Sequence, residues 1–216
     1  MLVVAACGGS REHAAAADAV GSSEGTEIAP ASADVELRDG SSAIIAGRAV
    51  PMDGVTEGLA WPGLDAAVHR GPHAVVVLAV GRDVPVSTVL HAVWTLRDAE
   101  VRVQTPDAAG AVRVLDLRPK PEVPTEAGCH LAVFVLPNGD LRVAGPGGPR
   151  MITGRDASSS LARALSDERV QCTIRYIAFG ADDAKAPWGS VFDLARAVDR
   201  DKAAGDARYV LGDPIR

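Results

Sequence analysis

The chain repeats itself, so its fold has to be built from one supersecondary unit used twice. Asp39-Gly40 and Asn138-Gly139 are both two-residue hairpin signals and lie 99 positions apart. The first sits between Val35-Glu36-Leu37-Arg38 and Ala43-Ile44-Ile45-Ala46-Gly47. The second sits between Leu131-Ala132-Val133-Phe134-Val135-Leu136 and Leu141-Arg142-Val143-Ala144-Gly145. A short helical stretch follows in each half, around Leu64 to Val68 and from Ser158 to Leu165. Then comes an apolar strand, Ala74 to Gly81 against Thr173 to Gly180, again 99 positions apart. A run this apolar and β-branched reads as a strand covered on at least one face.

After that strand, Pro85 and Pro187 each stand where a first helical residue is expected. Val86, Val89, Leu90, Val93 and Leu96 form an apolar stripe at helical spacing. Trp188, Val191, Phe192, Ala195 and Val198 form its counterpart, at a constant offset of 102. Each half ends in a strand, Val101 to Gln104 and Arg208 to Leu211. The expected fold is therefore α+β: two tandem two-layer ββαβαβ domains joined by a Pro-rich linker. The closing strand-helix-strand of each should be a right-handed crossover with parallel strands. The expected divisions are 1–33, a truncated lipoprotein signal and disordered tether; 34–106, the first domain; 107–128, the linker; and 129–216, the second domain. Within the linker, Val112 to Leu115 reads as an added edge strand, and Pro119, Pro121 and Pro124 make a stiff extended segment.

Composition narrows the partners. Acidic residues outnumber basic ones 28 to 22, for a net charge of −6. That balance argues against general nucleic-acid binding, which needs basic surface to displace counterions. It argues equally against a polybasic membrane patch. No apolar run reaches the roughly 18 residues of a membrane-spanning helix.

The three cysteines have no zinc or CxxC spacing. Val4-Ala5-Ala6-Cys7 resembles a bacterial lipobox, which makes Cys7 the lipid-accepting thiol and membrane contact a matter of that anchor alone. The positively charged and long apolar parts of such a signal are expected upstream of Met1. Gly8 to Ala33 has no aromatic residue and too little large apolar surface to offset its ordering entropy. Cys129 precedes the first strand of the second copy and Cys172 its apolar strand. If those strands are parallel neighbours, the two thiols start side by side, and an oxidising compartment would allow a disulfide.

Val75 to Arg97, reading VVVLAVGRDVPVSTVLHAVWTLR, resembles the periplasmic domain of the ExbD/TolR family of biopolymer-transport proteins. Asp182, Pro187, Trp188, Val191 and Phe192 fall on the same pattern, and Leu131-Ala132-Val133 through Asn138-Gly139 is similar to the family's first hairpin. The resemblance covers about residues 34–105 and 129–213. Family members carry a transmembrane helix with a proton-coupling aspartate, and this sequence has no such helix onto which that role could be carried. The resemblance therefore implies a non-catalytic envelope binding module, accessory to an energy-coupled transport complex. Its partners would be an envelope protein complex or peptidoglycan, and its tandem copies would act as an intramolecular pseudo-dimer. Asp83, Asp182 and Trp188 are the expected partner contacts; for Trp188 this requires exposure, and its place on the apolar stripe favours the core.

Catalytic motifs fare worse. Gly21 to Gly25 match G-x-S-x-G but lack the flanking strand and helix of a nucleophile elbow. Gly145-Pro146-Gly147-Gly148 lacks the Lys-Ser/Thr of a phosphate loop. His69 and His73 are separated by Gly71-Pro72, and Asp182-Asp183 reads as a solvated loop. The expectation is no enzyme, no cofactor and no metal, in a lipid-anchored periplasmic protein. The alternatives are a small periplasmic enzyme of unknown chemistry and a structural peptidoglycan-associated lipoprotein.

Overall fold

A computed structural model describes residues 32–55, 60–68, 75–119, 129–154, 157–202, 205 and 207–212. The first half contains β1 (Val35–Leu37), β2 (Ser42–Ile45), β3 (Arg48–Pro51), α1 (Pro62–Ala67), β4 (Val75–Val80), α2 (Val86–Thr95) and β5 (Glu100–Pro106). After β6 (Val112–Pro119), the second half contains β7 (Cys129–Val135), β8 (Leu141–Ala144), β9 (Arg150–Ile152), α3 (Ala157–Gln171), β10 (Ile174–Ala181), α4 (Trp188–Arg200) and β11 (Arg208–Leu211). The fold is mixed α+β. The order strand, strand, strand, helix, strand, helix, strand occurs on both sides of β6, so β3 and β9 each add a strand beyond ββαβαβ.

All eleven strands join in one sheet, ordered β3-β2-β1-β4-β5-β6-β11-β10-β7-β8-β9. Within the first half β1, β4 and β5 are parallel, and β2 and β3 extend the sheet as antiparallel neighbours. In the second half β7, β10 and β11 are parallel, with β8 and β9 antiparallel outside them. The two strand orders mirror each other about β6.

β6 is a departure from expectation. The stretch 112–119 is a central strand, neither linker nor edge. It pairs antiparallel with β5 from Val101↔Leu117 to Pro106↔Val112, and parallel with β11 through Val210↔Arg118 and Leu211↔Pro119. Strand alternation explains the placement: Leu115 is 3% exposed and Leu117 0%, so one side of β6 belongs to the core. Residues 120–128, with Pro121 and Pro124, lie outside the described residues.

The turns also differ from the two-residue loops expected. The β1–β2 connection is an Asx turn, with Asp39 Oδ1 accepting the backbone N–H groups of Ser41 (2.8 Å) and Ser42 (3.2 Å). Those bonds and the Ser41 hydroxyl hold the Asp39 carboxyl below its ordinary value. The tight turn is instead Ala46-Gly47, where both residues have positive φ (49° and 77°) and Ile45 pairs with Arg48. Asn138-Gly139 closes β7 to β8 with Gly139 at φ 82° and Leu136 N–H donating to the Asp140 carbonyl.

One core cluster contains residues of every helix and of both halves, among them Leu64, Val89, Leu117, Leu161, Phe179 and Phe192. On β10, Ile177 and Phe179 belong to that core. The alternate residues Tyr176 and Ala178 join Val210 in a smaller cluster on the other face. Tyr209, beside them on β11, packs on the main core with its ring 5.7 Å from Phe179. Burial, reinforced by the Asp199 carboxylate, pushes the Tyr209 hydroxyl up to about 12.

Two outcomes follow from this arrangement. Leu117→Ala should destabilise the protein by about 2–5 kcal/mol in urea unfolding, as for a buried leucine; a loss below about 0.5 kcal/mol would return β6 to the linker. The raised Tyr209 value means the unfolded chain gives up this proton first. The stability it supports is complete below pH 10 and is lost as pH rises toward 12. Tyr209→Phe should therefore flatten the alkaline limb of the stability curve across that window.

Candidate functional site

The two amphipathic helices begin at one place in space. Pro85 precedes α2 with φ −58° and ψ 138°, and Pro187 precedes α4 with φ −67° and ψ 135°. Each proline is therefore the extended residue before the helix, one position earlier than its expected role as first helical residue. The two prolines form an isolated antiparallel bridge.

The bonding around them is reciprocal. Val86 N–H donates to the Ala186 carbonyl (2.9 Å), and Trp188 N–H donates to the Val84 carbonyl (2.8 Å). Ser87 N–H donates to the Ala184 carbonyl (3.0 Å), and Gly189 N–H to the Arg82 carbonyl (2.8 Å). Donors and acceptors map onto each other at the offset of 102 seen in the helical stripes. The first N–H groups of a helix have no partner within it. Here each helix start has two of them capped by carbonyls of the other half, which serves where no side-chain cap is present.

Side chains add what the backbone symmetry lacks. Arg82 donates from Nη1 to Asp193 Oδ1 (2.9 Å) and from Nη2 to Asp193 Oδ2 (2.5 Å), a bidentate pair, and from Nη1 to the Pro106 carbonyl (3.1 Å). The Asp193 bond and the charges of Asp193, Asp107 and Asp83 raise the Arg82 value. The Trp188 indole N–H donates to Thr105 Oγ1 at 2.8 Å inside the core. Trp188 is 0% exposed. It is thus no surface partner contact; a large aromatic on the apolar stripe is drawn inside, and its one polar atom is satisfied there.

Asp83 and Asp182 are exposed. The joint shows that they are not equivalent positions. Arg82 matches Ala184, so Asp83 matches Lys185; between the paired strand ends, Val80 on Leu37 and Ala181 on Val135, and these positions the first half has Gly81 alone and the second half Asp182-Asp183. Asp182 is held by Arg142, whose Nη2 donates to Asp182 Oδ1 (2.7 Å) while its guanidinium lies 5.2 Å over the Phe134 ring. Phe134 in turn covers Gly180, where an added Cβ would meet its ring at 2.9 Å.

Cys129 and Cys172 form a disulfide with Cα atoms 6.0 Å apart. The parallel pairing of β7 and β10 brings them together: Cys129 pairs with Ile174, and its N–H donates to the Thr173 carbonyl (2.9 Å). His130 and Tyr176 stack beside the bridge at 4.1 Å. Cys7 lies outside the described residues. Among the described residues no group of three or more His, Cys, Asp and Glu could hold a metal ion, and no helix is long and apolar enough to cross a membrane.

Arg82, Asp193 and Thr105 escaped the sequence reading. Asp193 lies 111 residues from Arg82, and no local spacing announces such a pair. No family model, curated protein or solved structure matches the chain.

The bridge encloses a loop set by its separation of 43 residues, so reduction should lower unfolding stability by up to about 4 kcal/mol in the chain-entropy account. Urea unfolding with and without reductant measures this. The Cys129→Ser, Cys172→Ser double variant should match the reduced protein and ignore reductant.

Proposed function

We propose that this chain is a non-catalytic binding module of the bacterial cell envelope, made of two ExbD/TolR-like halves acting as an intramolecular pseudo-dimer. In this reading the halves at 34–106 and 129–216 descend from one unit, Cys7 carries a lipid, and the partner is an envelope protein complex or peptidoglycan. The energy-coupling step would reside in other proteins.

The observation that carries the reading is the reciprocal bonding of the two helix starts at an offset of 102. A backbone contact that repeats bond for bond in both directions is what a two-fold dimer interface provides, here within one chain. The repeated element order on either side of β6 supports the same conclusion. So does the run of apolar strand, turn, proline and amphipathic helix in both halves, on which the resemblance rests. The disulfide supports an oxidising compartment, because such bonds persist outside the reducing cytosol.

The test is capture. Full-length protein immobilised through a C-terminal tag should retain an envelope protein or peptidoglycan fragments from cell-envelope extract, and retain nothing comparable from cytosolic extract. Charge reversal at exposed Asp83 and Asp182 together should reduce that capture severalfold while costing no more than about 1 kcal/mol of unfolding stability, the loss of the partly exposed Arg142–Asp182 pair. Capture unaffected by the reversal would remove those residues from the binding surface. Equal or exclusive capture of cytosolic proteins would overturn the envelope assignment.

A further inference from the structure

The backbone of the joint is symmetric, but its side chains are not, and the asymmetry has a direction. The bidentate Arg82–Asp193 pair would be matched, by the offset of 102, by Ala184 and His91, which cannot reproduce it. Trp188 matches Val86. A valine side chain has no N–H, so the indole–hydroxyl bond of Trp188 and Thr105 also has no counterpart. Gly189 matches Ser87, and a Cβ on Gly189 would meet the Arg82 guanidinium at 3.0 Å.

We propose that this joint is specified for unlike pairing: the Arg82–Val86 surface of a first half takes the Ala184–Gly189 surface of a second half, in its own chain or a second copy, and rejects another first half. Two first halves would set Arg82 against His91 with Ser87 crowding the guanidinium. They would also leave the buried Thr105 hydroxyl facing a valine. Two second halves would set Asp193 against Ala184 and take the buried Trp188 indole N–H away from the Thr105 hydroxyl. Each like pair forfeits both the salt bridge and the indole–hydroxyl bond, and losing such pairs is how wrong partners are rejected. The inference rests on the equivalence of the halves within the proposed pseudo-dimer and not on the envelope role. Its test uses purified protein alone, so the two readings fail separately.

The experiment starts from the full chain with a protease site inserted within residues 120–128 and cleaved after folding. Cleaved protein is mixed with an isotopically labelled copy in enough urea to exchange fragments, then returned to buffer and examined by native mass spectrometry. Labelled and unlabelled fragments should recombine only as first-with-second pairs. First–first or second–second pairs at comparable abundance would overturn the proposal. Asp193→Ala and Thr105→Val should each weaken the association of the cleaved halves about tenfold. The exchanged pair Arg82→Asp with Asp193→Arg should recover much of the loss, which a merely destabilised fold would not. Association unchanged in both single variants, or no recovery in the exchanged pair, would likewise sink it.

Discussion

Four backbone hydrogen bonds between the starts of α2 and α4 hold the molecule's two halves in register. They are placed where a helix most needs them, since the first N–H groups of any helix lack partners within it. Proline at the residue before each helix makes the arrangement work. Its fixed φ keeps the backbone extended just long enough to pair across the joint before the helix begins. Neither half can satisfy these groups alone by the same means. The main core, with residues of both halves in one cluster, is the packing expression of that dependence. β6 then closes the sheet on the other side, antiparallel to β5 and parallel to β11, so the halves share hydrogen-bond ladders as well as apolar surface.

Local pattern made much of this legible. The apolar stripes of α2 and α4 are buried at Val86, Val89, Leu90 and Val93 and at Trp188, Val191, Phe192, Ala195 and Val198. The apolar runs at 75–80 and 174–181 form the central parallel strands. These signals survive because period and burial are coupled within a few residues. What the pattern hid was non-local. β6 looked like a linker strand because Val112 to Leu115 is followed by prolines, and only its pairing on both sides makes it central. β3 was obscured by its short, mostly exposed sequence, Arg48 to Pro51. The tight turn fell at Ala46-Gly47, where an alanine takes positive φ, a choice that residue preferences disfavour.

The site was less legible than the fold, for the same reason. A pair such as Arg82 with Asp193 is defined by tertiary placement. The sequence offers only one arginine among many and one aspartate on a helix. Trp188 could be read as core from its stripe, yet its bond to Thr105 depends on β5 lying beneath α4's first turn. Cys129 and Cys172 were an intermediate case: their positions before two strands carry the pairing only if those strands are parallel neighbours, as they are here.

The halves differ in helix length, 6 residues in α1 against 15 in α3, and also at the exposed turn before the joint. From the paired strand ends, Val80 on Leu37 and Ala181 on Val135, to the joint at Arg82 and Ala184, the first half has one residue, Gly81, and the second has two, Asp182-Asp183. The paired strand ends and the helix starts are both fixed by hydrogen bonds, so the added residue lies in the exposed turn between them. There it gives the second half an acidic corner, with Asp182 pinned by Arg142 over the Phe134 ring. At the equivalent joint positions the first half exposes Asp83 and the second Lys185. A molecule whose backbone is close to two-fold symmetric thus presents two chemically different corners, so a ligand that contacts this end meets unlike surfaces on its two sides. A symmetric dimer of one unit offers the same corner twice. Joining the two halves in one chain lets each turn carry its own chemistry while the joint holds the scaffold constant.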